Sequence, residues 1–426
     1  MLIGIIQEIG VIMEANRYVL TIEKNNKVWL INLINGIVVC LDCSFNEIVK
    51  EKKYDLLDDD VMKILVDKGF IVESAKVLSN IDFASRIGIN LNITNECNFN
   101  CQYCYFKANN QERSFKAIDE EGTLDWFDKY ILPQKQDVYV NYLGGEPLLE
   151  LPRLLRISRS IQERVKRIGV KYDGEITTNG FFLTEERAKE LVSSGIRCIQ
   201  ISLDGDREIH NQSRRCVDGT ETYDIILDNI SRCKDIIPII VRINVHKKNR
   251  SDRIKRLLGE LKERHIENIY FSCIEKNYGD ELECNDDYVL DEKESIEEYK
   301  RLWSIQKEYE FPFIQLLPSV VGNCIAKNPN GYTINYDGNM YLCPSTCGID
   351  KYLVDNVYEY KMNLKKQQSL LNKCKKCNVF PICMGGCIVT NCQVTLKGET
   401  VKQADNCRKE YILKMLKVYF CFKYSI

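Results

Sequence analysis

Three cysteines stand within eight residues at Cys97, Cys101 and Cys104, spaced C-x3-C-x2-C with no fourth cysteine beside them. A structural zinc site takes four ligands, usually as two pairs, so three thiolates suit an iron–sulfur cluster with one iron left open to an outside ligand. A second group lies in the last quarter, where ten of the 20 cysteines fall between Cys324 and Cys421. Its order is Cys324-x13-Gly338-x4-Cys343, then Cys374-x2-Cys377-x5-Cys383-x3-Cys387, then Cys407. Alone, Cys374, Cys377, Cys383 and Cys387 could make a ribbon-like zinc site, which would strand Cys324, Cys343 and Cys407. Most of the other seven, Cys40, Cys43, Cys198, Cys216, Cys233, Cys273 and Cys284, read as small apolar residues in ordinary core segments. Cys40 and Cys43 have redox-motif spacing without a thioredoxin-like context and read as structural, as do Cys392 and Cys421.

The elements that must position these groups follow from hydrophobic pattern. Between 86 and about 310, six strand candidates (RIGINLNIT, DVYVNYLG, DGEITTNG, RCIQISLDG, PIIVRINV, NIYFSC) alternate with amphipathic helices such as LPRLLRISRSIQERVKRIG and TEERAKELVSSG. Short, near-continuous apolar strands in such alternation imply an α/β fold, a parallel sheet with helices outside. Six units predict a partial (β/α)6 TIM-like barrel, whose chemistry sits at the carboxyl ends of the strands. The polar motifs fall there in turn: the three cysteines after strand one, Gly144-Gly145-Glu146-Pro147 after strand two, and Thr178-Asn179-Gly180 after strand three. Ser202-Leu203-Asp204-Gly205 ends strand four, and Arg242 and Asn244 lie in strand five.

With those positions in place, the chain resembles the radical S-adenosylmethionine (radical SAM) enzymes, whose motif is C-x3-C-x-aromatic-C, the aromatic here being Tyr103. The resemblance implies a cluster on Cys97, Cys101 and Cys104 whose open iron chelates S-adenosylmethionine, and a 5′-deoxyadenosyl radical that abstracts hydrogen from an unactivated carbon. It also implies that Gly144, Gly145 and Glu146 hold the cofactor's amino group. By the same resemblance, Ser202 and Asp204 would lie near its ribose and methionine portions, and Asn179 would line the pocket. Arg214 would pair with the carboxylate, with Arg242 as its rival.

The C-terminal spacing resembles, cysteine for cysteine, the SPASM extension of these enzymes. That likeness implies two auxiliary [4Fe–4S] clusters, three [4Fe–4S] in all. The distal one would sit on Cys374, Cys377, Cys383 and Cys407, the nearer one on Cys324, Cys343 and Cys387. The segment FIQLLPSVVGN offers no fourth cysteine to the nearer cluster, so either Cys347 reaches round or one iron is open to a substrate group.

Residues 1–80 hold two strands, RYVLTIEK and KVWLINL, joined at Asn25-Asn26, then helical patterns at FNEIVKEK and DDDVMKILVDKG and a closing strand FIVES. This winged-helix-like pattern resembles the leader-recognition domain of maturases of ribosomally made, post-translationally modified peptides (RiPPs). The likeness implies a precursor peptide bound by its leader as an added strand. The expected domains are therefore 1–80 for peptide recognition, 86–310 for the barrel and 320–426 for the cysteine-rich SPASM part.

Auxiliary clusters are plausible electron acceptors, so net oxidation of the substrate is expected: a crosslink, first a thioether, then a carbon–carbon or carbon–oxygen bond. The rival reaction is formylglycine formation by an anaerobic sulfatase maturase, which places an aspartate base directly after the cysteine matching Cys343, where this chain has Pro344. A non-catalytic metal scaffold would require the barrel motifs to be accidental. No catalytic acid or base is assigned. His210 is near enough to the mouth for a proton relay but reads first as a loop hydrogen-bonder, and His246 and His265 have no motif around them.

Composition narrows the partners. The chain has 426 residues with 59 Lys and Arg against 61 Asp and Glu, a net charge of −2, so no basic excess asks for nucleic acid or an anionic membrane. No apolar run approaches the ~20 residues of a membrane span, and the opening residues lack a signal-peptide pattern, so the expected location is cytoplasmic. A flavodoxin or ferredoxin is the expected electron donor. The acidic stretch EKNYGDELECNDDYVLDEKESIEEY reads as a solvated loop and helix face.

Overall fold

The computed structural model describes residues 13–51, 53, 56–73, 86–106, 116–274, 286–313, 324–328, 330–360, 368–369, 374, 376–387, 393–396, 399–402 and 407–425. Met13–Ala15 (β1), Val19–Lys24 (β2), Lys27–Asn32 (β3) and Val38–Asp42 (β4) are followed by helices Ser44–Lys50 (α1) and Asp59–Asp67 (α2) and by Ile71–Glu73 (β5). Asn25 and Asn26 both take positive φ, 53° and 57°, as the tight hairpin between β2 and β3 requires. The sheet runs β2-β3-β4. The FIVES strand does not join it; β5 pairs with β1 instead, and the third strand is the β-branched run Val38–Asp42. One face of the sheet (Val28, Leu30) packs on α2 through Met62 and Leu65. Tyr18, Leu20, Ile22, Ile31 and Leu33 on the other face join the main core together with Cys374, Cys377 and Leu416.

The barrel strands form where the alternation placed them: Arg86–Asn92 (β6), Asp137–Leu143 (β7), Tyr172–Thr178 (β8), Ile196–Leu203 (β9), Ile239–Val245 (β10) and Ile269–Cys273 (β11). All are parallel, in sequence order. Helices between them include Glu120–Trp126 (α3), Leu151–Arg167 (α4), Glu185–Ser193 (α5), Arg207–Ser213 (α6), Tyr223–Cys233 (α7) and Ser251–Glu263 (α8); Glu292–Glu308 (α9) follows β11. The apolar face of α4, through Leu154, Ile157, Ile161 and Val165, is fully buried. The strands are not uniformly apolar. Val140, Ile176, Ile201, Val241 and Phe271 are buried, whereas the alternate residues are polar and bond to one another: Tyr139 to Glu175 (2.7 Å), Thr177 to Asn141 (3.3 Å), Tyr270 to Gln200 (2.7 Å) and Arg242 to Ser272 (2.9 Å). A sheet with helices on one face only shows this period of two.

The barrel sheet also gains strands that the sequence reading missed. Gly331–Ile334 (β12) pairs in parallel with β6, and Asn339–Tyr341 (β13) and Leu353–Asn356 (β14) extend it antiparallel, so the C-terminal part begins as a continuation of the barrel. Asn90 bonds Thr333 (3.2 Å) and Asn92 bonds Asn335 (2.9 Å) across the seam. The last helix, Lys409–Lys423 (α10), buries Leu416, Tyr419 and Phe420, and Tyr424 just beyond it stacks on Trp29 of β3. Of the seven scattered cysteines, Cys216 and Cys233 are buried as expected, but Cys40 is exposed and Cys43, Cys198 and Cys273 are only partly covered; Cys284, like Cys392, lies outside the described residues. Most of the FIQLLPSVVGN segment lies outside them too. Among the described residues no helix is long and apolar enough to cross a membrane.

Candidate active site

The loop leaving β6 carries the three cysteines and is pinned along the segment after α6. Asn100 N–H donates to Arg215 O (2.9 Å), Gln102 N–H to Ser213 O (3.3 Å) and Val217 N–H to Asn98 O (2.8 Å). Asn98 Oδ1 accepts from Asn179 Nδ2 (2.8 Å). The three sulfurs lie within each other's field. Burial, then Cys101 and Glu146, push the Cys97 thiol up; burial also takes Cys101 to about 12, with Arg214 opposing and Cys104 and Asp204 adding. Such thiols stay protonated until a cation supplies the charge that displaces their protons, which is how a cluster-binding loop behaves.

The GGEP turn after β7 supports that loop. Gly144 has φ +138°, and a Cβ there would meet Thr94 O at 2.5 Å; at Gly145 it would meet Glu96 O at 2.0 Å. The close approach that these glycines permit is thus to the backbone leading into the cysteines. Gly145 and Glu146 also spend their N–H groups there, on Thr94 O (2.9 Å) and Glu96 O (2.6 Å). The Glu146 carboxylate, 1% exposed, accepts from Leu148 N (3.0 Å), Thr178 Oγ1 (2.5 Å) and Asn179 N (2.7 Å), joining the turn to the end of β8. Burial raises its pKa while those bonds oppose the rise. Asn179 is likewise used within the frame, since its Oδ1 also accepts from Phe181 N (2.9 Å).

Asp204, at the end of β9, is the hub of a buried polar network. Tyr103 Oη donates to Asp204 Oδ2 (2.5 Å), and Asn244 Nδ2 bonds both Asp204 Oδ1 (3.1 Å) and Tyr103 Oη (3.0 Å). Arg214 Nη1 donates to Tyr103 Oη (3.1 Å), and His246 Nε2 lies 3.6 Å from Asp204 Oδ2. Burial would raise the Asp204 pKa, but His246 and Arg214 outweigh it and hold the carboxyl at about 2. Burial and the Asp204 charge push the Tyr103 phenol well up, so it remains a donor. His210 behaves as a loop hydrogen-bonder: its Nδ1 accepts from Asp204 N (3.3 Å), its Nε2 contacts Thr222 Oγ1 (3.1 Å), and burial lowers its pKa to about 3. The sequence reading passed over His246, yet it directly follows β10, the strand-end position that marked the other motifs. Tyr288, in the stretch taken for solvated surface, is buried with its ring 4.7 Å from His246 and 5.6 Å from Tyr103.

Two donors at this mouth are unspent. Among the described residues the buried Nε–H groups of Arg214 and Arg242 have no partner, although each arginine is anchored by another nitrogen. Ser202 pairs in register with Arg242 on the next strand. An anionic group of a bound cofactor is what such donors fit.

The second cysteine group divides in two. Cys374, Cys377, Cys383 and Cys407, with Val379 and Phe380, ring a cavity of about 190 Å³. Cys343, Cys347 and Cys387 pack in a separate cluster with Phe106, Tyr341 and Tyr352, and Cys104 of the first loop touches the same cluster. Burial raises the Cys343 thiol to about 12, Ser345 opposes this, and Cys324 and Cys387 add to it. Cys347 is fully buried, and after burial it responds to Cys343 and to Asn92 of β6. Among the described residues no three His, Cys, Asp or Glu side chains converge as a single-ion site needs.

The sequence model of the radical SAM superfamily matches residues 91–261, from β6 into α8. A cysteine-type anaerobic sulfatase-maturating enzyme of Clostridium perfringens is 24% identical over 325 residues, spanning 68% of this chain and 85% of that one. A serine-type anaerobic sulfatase-maturating enzyme of Bacteroides thetaiotaomicron is 23% identical over 359 residues, spanning 71% and 82%. Among solved structures, native anSMEcpe with bound AdoMet superposes with a TM-score of 0.57 at 19% identity, over 79% of this chain and 97% of that chain. Streptococcus suis SuiB does so at 0.51 and 16%, over 92% and 99%. A parallel sheet in this strand order with a three-cysteine loop after its first strand defines a radical SAM enzyme, one that binds S-adenosylmethionine and carries the iron–sulfur cluster of that class. Within the class, the chain is similar to the SPASM-type enzymes.

Proposed function

We propose that the chain is a maturase that oxidatively crosslinks a ribosomally made precursor peptide, first of all through a thioether between a cysteine sulfur and another residue's carbon. When bound, S-adenosylmethionine on a reduced iron–sulfur cluster supplies hydrogen-atom abstraction from an unactivated carbon. Cys97, Cys101 and Cys104 would hold that cluster. The cofactor's ammonium needs acceptors, and with the Gly145 and Glu146 amides already engaged, carbonyl oxygens of Gly144, Gly145 and Glu146 suit it. Arg214 or Arg242 would meet its carboxylate with the unspent Nε–H. Ser202 would lie near the ribose and Asn179 at the wall. Asp204 and Asn244 fix the Tyr103 phenol as a protonated, neutral surface beside the cluster, and the packing of Tyr288 and His246 behind it excludes water.

The observation that carries the oxidative reading is the cavity ringed by Cys374, Cys377, Cys383 and Cys407, four residues expected to act as one set and drawn together from both ends of the C-terminal part. With Cys324, Cys343 and Cys387 as a second set, two auxiliary clusters would lie where an electron from the substrate can go. Crosslinking removes two hydrogens from the peptide, one as an atom and one as a proton and an electron, and an acceptor is required for that electron. The peptide's leader would add to β4, a partly exposed edge strand, within domains of 1–80, 86–310 and 320–426. A flavodoxin or ferredoxin would supply the priming electron.

Formylglycine formation is the second reading, favoured by the names of the sulfatase-maturating relatives. Against it stands Pro344, which opens a 3-10 turn directly after Cys343 where that reaction would need an aspartate. The test is anaerobic turnover with S-adenosylmethionine, dithionite and the cysteine-bearing peptide of a neighbouring small reading frame. A thioether consumes the peptide thiol and leaves no carbonyl; an aldehyde trapped by a hydrazide would overturn the crosslinking reading in favour of formylglycine.

A further inference from the structure

Glu175 stands in the middle of β8 on the polar face of the sheet, in register with Asn141 of β7 and Cys198 of β9. The register slips beside it: Gly174 pairs with Ile196 but Glu175 with Cys198, so Arg197 bulges out of β9. Bulges are rare between parallel strands and gather beside active sites, where they re-aim a side chain. Tyr139 Oη donates to Glu175 Oε2 (2.7 Å), and the Arg86 guanidinium lies over the Tyr139 ring, 4.5 Å from its centroid. Among the described residues no donor reaches Oε1, and the side chain is only partly covered. The other carboxylates of this face are placed differently. Asp137 and Asp173 are exposed near the starting ends of their strands, and Asp204 is committed to Tyr103 and Asn244. Glu175 is therefore the carboxylate that the barrel interior holds half-buried with an oxygen to spare. Burial raises its pKa against the pull of Tyr139 and Arg86, which makes it a stronger base than a surface glutamate.

We propose that Glu175 is the proton acceptor of the crosslinking step, with Oε1 against the thiol of the substrate cysteine. This deepens the thioether reading and rests on it. A base is needed because a thiol with an ordinary pKa of about 8.5 is mostly protonated at neutral pH, and more so away from water. The position next to Cys343, where a formylglycine enzyme would place its aspartate, holds Pro344, so the base must come from elsewhere in the chain. In the balanced step, the carbon's C–H bond breaks by the hydrogen-atom abstraction that bound S-adenosylmethionine supplies. The S–H bond breaks with its proton going to Glu175, the C–S bond forms, and the one electron left over passes to an auxiliary cluster as proposed above. Depth suits this role. Glu175 is three residues, about 10 Å, below Thr178 at the mouth, which leaves space for the reacting carbon and sulfur between cofactor and carboxylate.

The test uses the full chain, reconstituted anaerobically with iron and sulfide, as wild type, Glu175→Gln and Tyr139→Phe. Each is incubated with S-adenosylmethionine, dithionite and the cysteine-bearing peptide of a neighbouring small reading frame. Products are read by mass spectrometry across a series of pH values. Glu175→Gln can still accept from Tyr139 Oη, so it should bind iron and form 5′-deoxyadenosine while the thioether yield falls about a hundredfold. That deficit should shrink as pH approaches about 8.5, where the substrate thiol ionises unaided. Tyr139→Phe removes a bond that lowers the Glu175 pKa, so the acid limb of its crosslinking profile should move to higher pH. The titratable and charged groups facing Glu175 besides Tyr139 are Arg86, Cys198 and Tyr270, and all three remain in both variants. Wild-type thioether yield in Glu175→Gln, or a deficit independent of pH, overturns the proposal. If Glu175→Gln fails to hold iron, Tyr139→Phe decides alone, and an unmoved acid limb there overturns it. A wild-type enzyme that cleaves S-adenosylmethionine but leaves the peptide thiol intact would refute the crosslinking reading itself, and the proposal with it.

Discussion

Asp204 is an anion sealed from solvent, and its neighbours explain why it stays charged. Tyr103, Asn244 and His246 surround its two oxygens, with Arg214 one bond further out. Its carboxyl is held at about 2 against an ordinary value of 3.8, so the stabilisation is present above the unfolded value and disappears as pH falls from about 4 toward 2, amounting to roughly 2 kcal/mol. Asp204→Asn should therefore destabilise the fold by about 3 kcal/mol near neutral pH, and denaturant titrations should show the gap to wild type narrowing below about pH 4 and closing only toward about pH 2. A gap independent of pH would mean that the network is not held by that charge. Cys347 gives a second expectation at this scale. If the nearer cluster has an open iron, Cys347→Ser should keep the full iron complement, about twelve per chain for the three proposed clusters; loss of cluster iron would make it the fourth ligand. The sequence pointed to Asp204 through Ser-Leu-Asp-Gly and to the cysteines through spacing. It hid His246 and Tyr288, whose importance comes from pairing with residues far away in the chain.

Between residues and domains, the loops decide the site. The cysteine loop has little regular structure of its own, and its shape is imposed by the segment 213–217 on one side and the GGEP turn on the other. Gly145 is the tightest of these contacts, since an added Cβ would stand 2.0 Å from Glu96 O, backbone against backbone. Gly145→Ala should cost about 3 kcal/mol and loosen the first loop. Reconstituted protein would then hold about eight irons instead of about twelve, and would no longer form 5′-deoxyadenosine; a variant with full iron and wild-type cleavage would refute this coupling. At this scale the six parallel strands and their helices were legible because long amphipathic helices such as Leu151–Arg167 separate them clearly. The polar inner face was also written in the alternation of Asp137–Leu143, but strong β-branched residues masked it as a continuous run. Gly331–Ile334 was not legible: four residues among asparagines become a strand only because the edge of Arg86–Asn92 is there to receive them.

For the whole molecule, the question is whether residues 1–80 are an attachment or part of the body. A recognition module read from sequence suggests a separable unit. In the structure the sheet has two buried faces: Val28 and Leu30 serve its own helices, while Leu20, Ile22, Ile31 and Leu33 join the core shared with the last helix, and Trp29 stacks on Tyr424. Removing that second face would take four large aliphatic side chains out of the shared core, each contributing about 1.5–3 kcal/mol by its burial, and would uncover the side of the protein where Cys374 and Cys377 pack. Deleting residues 1–80 should therefore do more than abolish the proposed leader binding. The truncated enzyme should lose the proposed distal cluster, falling from about twelve irons to about eight, while retaining S-adenosylmethionine cleavage at the barrel mouth, whose buried network draws, among the described residues, none from the N-terminal unit. Twelve irons after truncation would show the unit to be detachable, and loss of cleavage as well would show that the barrel itself depends on it.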